Sequence, residues 1–325
     1  MGSKSCSDSY QDIKGDWQGV MRLKKVIVLG KINIDVFYYV DDVKVGGNHV
    51  TQNTLLALGG KGANISIALA KLGVPVGIIG AVGEDIFGET ALKELEKYGV
   101  DISRVIRVKG KTGFTTVVVD SKGENTMFNS LGANAHFSPE HIDWTFIDEY
   151  DILVAQAGVP PGTFLEIVSM AKRSGMTVFV DTSYPSEIPE EAYSYMDYIS
   201  PNLRELAGIT GLNDPLKGAR KLINKGVETV IVKMGKEGAL IVDEKDSKHI
   251  KALDVEAVDT TGAGDAFDAG FILGKIKGLS DEESVGLGNV CAAISVTKKG
   301  ASTSSPSIEE LRNFIREREL NVKGL

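Results

Sequence analysis

VIVLG, from Val26 to Gly30, is the first of several short apolar runs, and what lies between these runs decides the fold. The others are VGIIGAV (Val76 to Val82), ILVA (Ile152 to Ala155), TVFVD (Thr177 to Asp181) and TVIVK (Thr229 to Lys233). Between several of them lie helical patterns such as ETALKELEKYG, in which Leu92, Leu95 and Gly99 stand at helical and C-cap spacing. Strand and helix in alternation predict the α/β class, with a doubly wound, mostly parallel sheet and helices on both faces.

Two stretches break that rhythm. DVFYYVDDVKVGGNHVTQNTLLALGG (Asp35 to Gly60) and TGFTTVVVDSKGENTMFNSLG (Thr112 to Gly132) alternate as strands do and contain no helix pattern. SKGEN in the second reads as a hairpin turn. The expectation is one α/β domain over residues 21–325, with a small antiparallel β lid made from about residues 36–58 and 112–131. Residues 1–20 are polar and read as an extension or a cloning remnant, with Met21 the likelier native start.

Composition narrows the function. With 42% hydrophobic and 25% charged residues, the 325-residue chain is of ordinary globular character. Its formal net charge of -8 is spread along the chain, so neither a nucleic acid nor an anionic membrane is an expected partner. Two cysteines, Cys6 and Cys291, cannot build a disulfide framework, and no His/Cys cluster has zinc-ligand spacing. A reducing cytoplasm is the expected location. The four histidines, His49, His136, His141 and His249, form no partner pattern and receive no role, while Tyr38 or Tyr39 can help cover a ligand.

GKINID, Gly30 to Asp35, follows the first strand without the GxGxxG spacing of a dinucleotide turn, which disfavours a nicotinamide enzyme. LGGKGANISIALAKLG (Leu58 to Gly73) is no P-loop either, because Lys61 is followed by Gly62 rather than Ser or Thr. It reads as a glycine turn leading into a helix with an apolar stripe of Ile65, Leu69 and Leu72. Gly59, Gly60 and Gly62 also allow close approach of backbone to a ligand, and Lys61 and Asn64 offer donors to hydroxyls.

VDTTGAGDAFDAGF, Val258 to Phe271, carries the sharpest chemistry. Gly262, Ala263 and Gly264 have so little side chain that backbone N–H groups can converge on an anion at the positive start of a helix. Asp265 at the same helix start can take the proton of an attacking hydroxyl; it can equally cap the helix, and the two roles are compatible.

GGKGAN near the front and DTTGAGDAF near the back, with the βα pattern between them and a lid in two insertions, resemble the paired signatures of the ribokinase-like, or PfkB, carbohydrate kinases from about Lys24 to Glu319. The resemblance implies Asp265 as catalytic base and Gly262, Ala263 and Gly264 as anion hole. It implies Asn33, Asp35, Gly60, Lys61 and Asn64 as sugar contacts. Asn202 and Glu205 of PNLRE match an NxxE motif whose glutamate helps hold Mg2+ and phosphate through water, although the same spacing makes a helix capping box. Lys233, Gly235 and Gly238 of KMGKEG match a nucleotide-binding turn, and Asn289 a position near the adenine. Asp259, Thr261, Ser295, Lys298, Gly300 and Ser304 match positions, mostly backbone, around a monovalent cation such as K+.

Two departures stand out. The family presents a glutamate to the sugar just after the strand ILVAQAG, where this chain is read as having Ala157 beside Gln156. Asp268 replaces the usual asparagine, at a position read as helix surface. The implied activity is phosphate transfer from ATP to a primary hydroxyl of a pentose, ribose first. A nucleoside kinase, or a kinase of fructose or 2-keto-3-deoxygluconate, is the neighbouring alternative, and a non-catalytic sugar sensor is the alternative of another class. Exposed lid edges suggest a homodimer.

Overall fold

Alternation within the first strand determines how the layers stack. In the computed structural model, which describes residues 24–51, 53–122, 124–183, 187–320 and 322, strand β1 (Val26–Leu29) lies near the middle of a nine-stranded sheet. Val26 and Val28 enter one apolar core while Ile27 and Leu29 enter another, because successive side chains of a strand point to opposite faces. Both faces are therefore covered.

The other strands of this sheet are β4 (Val76–Gly83), β5 (Val105–Val108), β8 (Ile152–Gln156), β9 (Thr177–Asp181), β10 (Tyr198–Ser200), β11 (Thr229–Lys233), β12 (Ala239–Val242) and β13 (Ser247–Ile250). Their order is β13-β12-β11-β10-β9-β8-β1-β4-β5, parallel except at β12, which is antiparallel to both neighbours. All five expected runs are strands of this sheet. Helices α1 (Lys61–Lys71), α2 (Ile86–Lys97), α3 (Pro161–Arg173), α4 (Leu203–Thr210), α5 (Pro215–Ile223), α6 (Ala263–Ile276), α7 (Asp281–Val296) and α8 (Ile308–Glu317) supply the outer layers. Leu92 and Leu95 of α2 are buried, and Gly99 beyond its end has φ +80°, as their spacing predicts.

A second sheet contains β2 (Asn33–Tyr39), β3 (Thr54–Gly59), β6 (Gly113–Val119) and β7 (Asn125–Ser130) in the order β3-β2-β6-β7. It consists of two antiparallel hairpins joined through a parallel central pair, β2 and β6. Each insertion leaves the main sheet soon after a parallel strand, β1 or β5, so its outgoing strands run the same way. SKGEN lies in the β6–β7 turn, where Asp120 accepts from the amides of Lys122 and Glu124. Cys291 is a buried thiol, whereas Cys6 and residues 1–20 lie outside the described residues. Among the described residues no helix is long and apolar enough to cross a membrane.

This layering brings Lys31 after β1, Gln156 on β8, Asp181 on β9 and Lys233 on β11 to the carboxyl ends of parallel strands. That edge is where an open α/β sheet places its ligands.

Candidate active site

The start of α6 shapes the site. Gly262 is its N-cap with φ +77°, and a Cβ there would lie 2.8 Å from the Cα of Ala301, so both conformation and space demand glycine. Gly264 borders open space: only the Lys233 side chain comes within 4 Å of where its Cβ would be. These residues and Asp265 line a cavity of about 710 Å³ that also takes in Lys61, Glu205 and Asn202. Leu253, Val255, Ala292 and Val296 give its remaining wall an apolar character. An anion cradle and an apolar slot in one cavity suit a ligand with a charged tail and a flat, greasy head.

Asp265 is 5% exposed, and its side chain makes no capping bond to the helix. The capping alternative is not what the structure adopts. Instead Asn64 of α1 donates through Nδ2 to Asp265 Oδ2 at 3.0 Å. Burial pushes the Asp265 carboxyl up to about 6, opposed by the Lys61 charge and reinforced by Asp181.

On the lid side, Asn134 donates to Asn33 Oδ1 at 2.9 Å and accepts from the amide of Ile32, which fixes the end of β2. Asp35 lies against Gly59 of β3, where a Cβ would sit 2.1 Å from its Oδ2. Burial lifts the Asp35 carboxyl to about 6, against the pull of Thr115 and Lys31. Asp35 Oδ1 and Asn64 Oδ1 are both buried without a hydrogen-bond partner. Two such orphan oxygens in one site call for donors from outside the chain.

A pH dependence follows. Asp265 must be ionised to accept a proton, and a carboxyl raised to about 6 stays protonated to a higher pH than an ordinary one. Asp35 titrates in the same range, so kcat/KM falls below pH about 6 with a slope steeper than one proton. Initial rates across pH check this; a profile flat down to pH about 4.5 refutes it.

Beneath the cradle lies a charge network of residues far apart in sequence. Lys61 Nζ donates to Asp181 at 2.8 Å and to the Thr182 carbonyl at 2.8 Å, and stands 3.5 Å from Glu205. Lys233 Nζ bridges Asp268 at 2.9 Å and Asp181 at 3.1 Å. Burial alone would discharge both lysines, but their carboxylate neighbours outweigh it and hold both ammoniums well above their ordinary value. Asp181, fully buried, is in turn held below the usual carboxylate range by Lys61 and Lys233 against its own desolvation. Asp181 and Asn134 escaped the sequence reading; the one available signal was an acidic residue closing an apolar parallel strand.

Asp268 corrects an expectation. It is wholly buried rather than on the helix surface, bonded to Ser200 at 2.7 Å and to Lys233, because α6 is covered by α1 and α7 as well as by the sheet. Ala157 is a second correction. It follows the end of β8, and its side chain packs in the apolar core; at the next residue, Gly158, a Cβ would lie 2.5 Å from Gln156 Nε2 and 3.2 Å from Lys31 Nζ, so those two side chains take up the place.

Glu205 makes the capping box with Asn202 in full and also accepts from the Thr182 hydroxyl at 2.7 Å. The box holds it rigid on the cavity wall. Magnesium fits the donor set here: the carboxylates of Asp181, Glu205, Asp265 and Asp268 outnumber the ammoniums of Lys61 and Lys233, yet among the described residues no cluster of three or more could cage a metal directly. That combination suits an ion that keeps its waters.

KMGKEG is the turn between β11 and β12, with Gly235 at φ +60° and Gly238 at φ +95°. Gly235 lines the cavity; Gly238 lies under the backbone of Ile250 and shapes the turn. Asn289 also lines it, donating to the carbonyls of Ile250 and Lys251. Asp259 accepts from the amides of Thr261 and Gly300, while the hydroxyls of Ser295 and Ser304 bond each other at 2.7 Å. Lys298 extends away to Glu310. These side chains fasten two loops behind the cradle, so a monovalent cation there would rest on main-chain carbonyls.

Comparison with known proteins agrees with this geometry. Residues 23–308 match the model of the pfkB family of carbohydrate kinases. A ribokinase of Haemophilus influenzae is 33% identical over 301 residues, covering 90% of this chain and 98% of that one, and a deoxyribokinase of Salmonella typhi is 31% identical over 300 residues, covering 89% and 98%. The crystal structure of a Thermotoga maritima ribokinase superimposes with a TM-score of 0.85 at 36% identity over 90% of this chain and 99% of that one. An Arabidopsis thaliana ribokinase complexed with ribose and ATP gives 0.84 at 27% identity, covering 91% and 99%. By motif, fold and site alike, the chain belongs to the PfkB family of carbohydrate kinases, phosphotransferases whose acceptor is the alcohol group of a sugar.

Proposed function

We propose that this kinase transfers the γ-phosphate of ATP to a primary hydroxyl of a pentose or a closely related polyol, ribose being the starting candidate. The observation that carries the reading is the pair of unsatisfied buried oxygens, Asp35 Oδ1 and Asn64 Oδ1, the second on the residue that holds the base Asp265. A polyol supplies the donors they lack.

Asp265 receives the proton as the hydroxyl oxygen attacks phosphorus, and Asn64 holds its carboxylate in place. The amides at the head of α6, which line the cavity, meet the negative charge spread over the phosphoryl oxygens. Magnesium, held by Glu205 through water, supplies further positive charge to the phosphates when bound. Potassium behind the cradle, a cytoplasmic setting and a homodimer belong to the same reading. The dimer is supported by Leu55, Leu56, Met127 and Phe128, which are 50–62% exposed on the lid strands β3 and β7.

Pentoses, hexoses and nucleosides assayed one by one with ATP and Mg2+ test the proposal. A pentose turned over faster than any hexose or nucleoside is the expected result. Preference for a nucleoside would move the acceptor class, and an inert protein would overturn catalysis.

A further inference from the structure

A row of polar side chains crosses the lid sheet. The strand register sets Asp35 of β2, Thr115 of β6 and Asn129 of β7 side by side, and hydrogen bonds from Asn33 to Thr115 and from Thr115 to Asn129 put these side chains on one face. Asn33 and Asp35 are two residues apart on β2 and point to that same face.

The bonds along the row run in one direction. Asn134 Oδ1 accepts from the amide of Ile32, which leaves its Nδ2 to donate to Asn33 Oδ1 at 2.9 Å. Asn33 Nδ2 then donates to Thr115 Oγ1 at 3.4 Å, and the Thr115 hydroxyl gives its single proton to Asn129 Oδ1 at 3.1 Å. A backbone amide can only donate, so the amide of Ile32 fixes which way every amide side chain in the chain is turned. Asn129, at the far end, spends its oxygen on Thr115 and keeps its N–H donors, which have no partner among the described residues. Across the row, Asp35 Oδ1 is a buried acceptor with no donor. Thr115 between them is 6% exposed, whereas Asn129 is open to solvent and within reach of a ligand. An unused donor and an unused acceptor two strand spacings apart, roughly 10 Å between Cα atoms, suit a small polyol laid over Thr115.

We propose that Asn129 is a specificity-determining contact of the acceptor, its side-chain amide donating to a hydroxyl other than the one that is phosphorylated. The inference rests on the sugar-kinase reading and deepens it: this lid selects acceptors with a full set of hydroxyls over deoxy-sugars. A neutral hydrogen bond of this kind gives roughly 3- to 10-fold in kcat/KM.

The test uses the full chain with ATP and Mg2+ and four acceptors: ribose, and 1,4-anhydroribitol, 2-deoxyribose and 3-deoxyribose, which each lack one hydroxyl of ribose. In the wild type at least one analogue should fall below ribose by roughly 3-fold or more. Asn129→Asp keeps the oxygen that Thr115 bonds but has no N–H, and Asn129→Leu removes both. Each variant should lower kcat/KM for ribose by roughly 3- to 10-fold through KM, leave that same analogue unchanged, and so bring their ratio close to one, with KM for ATP within about twofold of the wild type. Four acceptors used equally well by the wild type, no loss in the variants, or a loss that strikes ribose and all three analogues alike overturns the inference while leaving a sugar kinase. If the wild type phosphorylates none of them, the kinase reading fails on its own, and calorimetric titration of the same four compounds decides: ribose affinity that drops in both variants while that of one analogue stays supports the assignment, and any other result overturns it.

Discussion

Asp265→Asn lowers kcat by about 10³-fold while the sugar KM changes little, because general base catalysis is worth roughly 10²–10⁴ in rate. The amide keeps the shape of the carboxylate and leaves the cradle at the head of α6 intact, so binding survives and proton acceptance is lost. The Asn64 contact is the one interaction that must re-form, since Asn64 Nδ2 now donates to Asp265 Oδ2. Steady-state kinetics with saturating ATP measures the effect. Turnover within about tenfold of the wild type would remove Asp265 from the role of base.

Lys233→Met should destabilise the protein by about 3–5 kcal/mol, the cost of leaving a buried charge without its partner. Lys233 Nζ lies between Asp181 and Asp268, both with fully buried side chains. Asp181 retains Lys61 when Lys233 is lost, whereas Asp268 keeps the Ser200 hydroxyl but no salt-bridge partner among the described residues. Hence Lys233→Met combined with Asp268→Leu should recover most of the loss, since a buried ion pair and an apolar pair of similar volume are often equivalent. Denaturant midpoints for the two single variants and the double variant measure the coupling. Additive losses would show that the bridge contributes nothing to stability.

The parts of the site that lie together in the chain were legible in it. Gly262, Ala263, Gly264 and Asp265 are consecutive, and their small side chains and their acid raise both expectations without knowledge of any neighbour. GGKGAN behaves the same way, and Asn202 with Glu205 declares a capping box that the helix does form. The charge network was not legible, because Lys61 and Asp181 are 120 positions apart and meet only when two strand ends come level at one sheet edge. Ala157 was misplaced for a related reason: it lies in the turn that follows β8, and only the packing of that turn shows its side chain entering the core.

By itself, then, the order of residues determined that this chain builds a doubly wound sheet with a lid and sets an acid and a ring of amides at one helix start. These are consequences of periodicity and local backbone freedom, which act over a few residues. Only the tertiary structure decided which charges meet, pairing Lys61 with Asp181 and Lys233 with Asp181 and Asp268. A charge buried from water depends on whatever shares its pocket, and in this molecule those neighbours arrive from strands far apart in the chain.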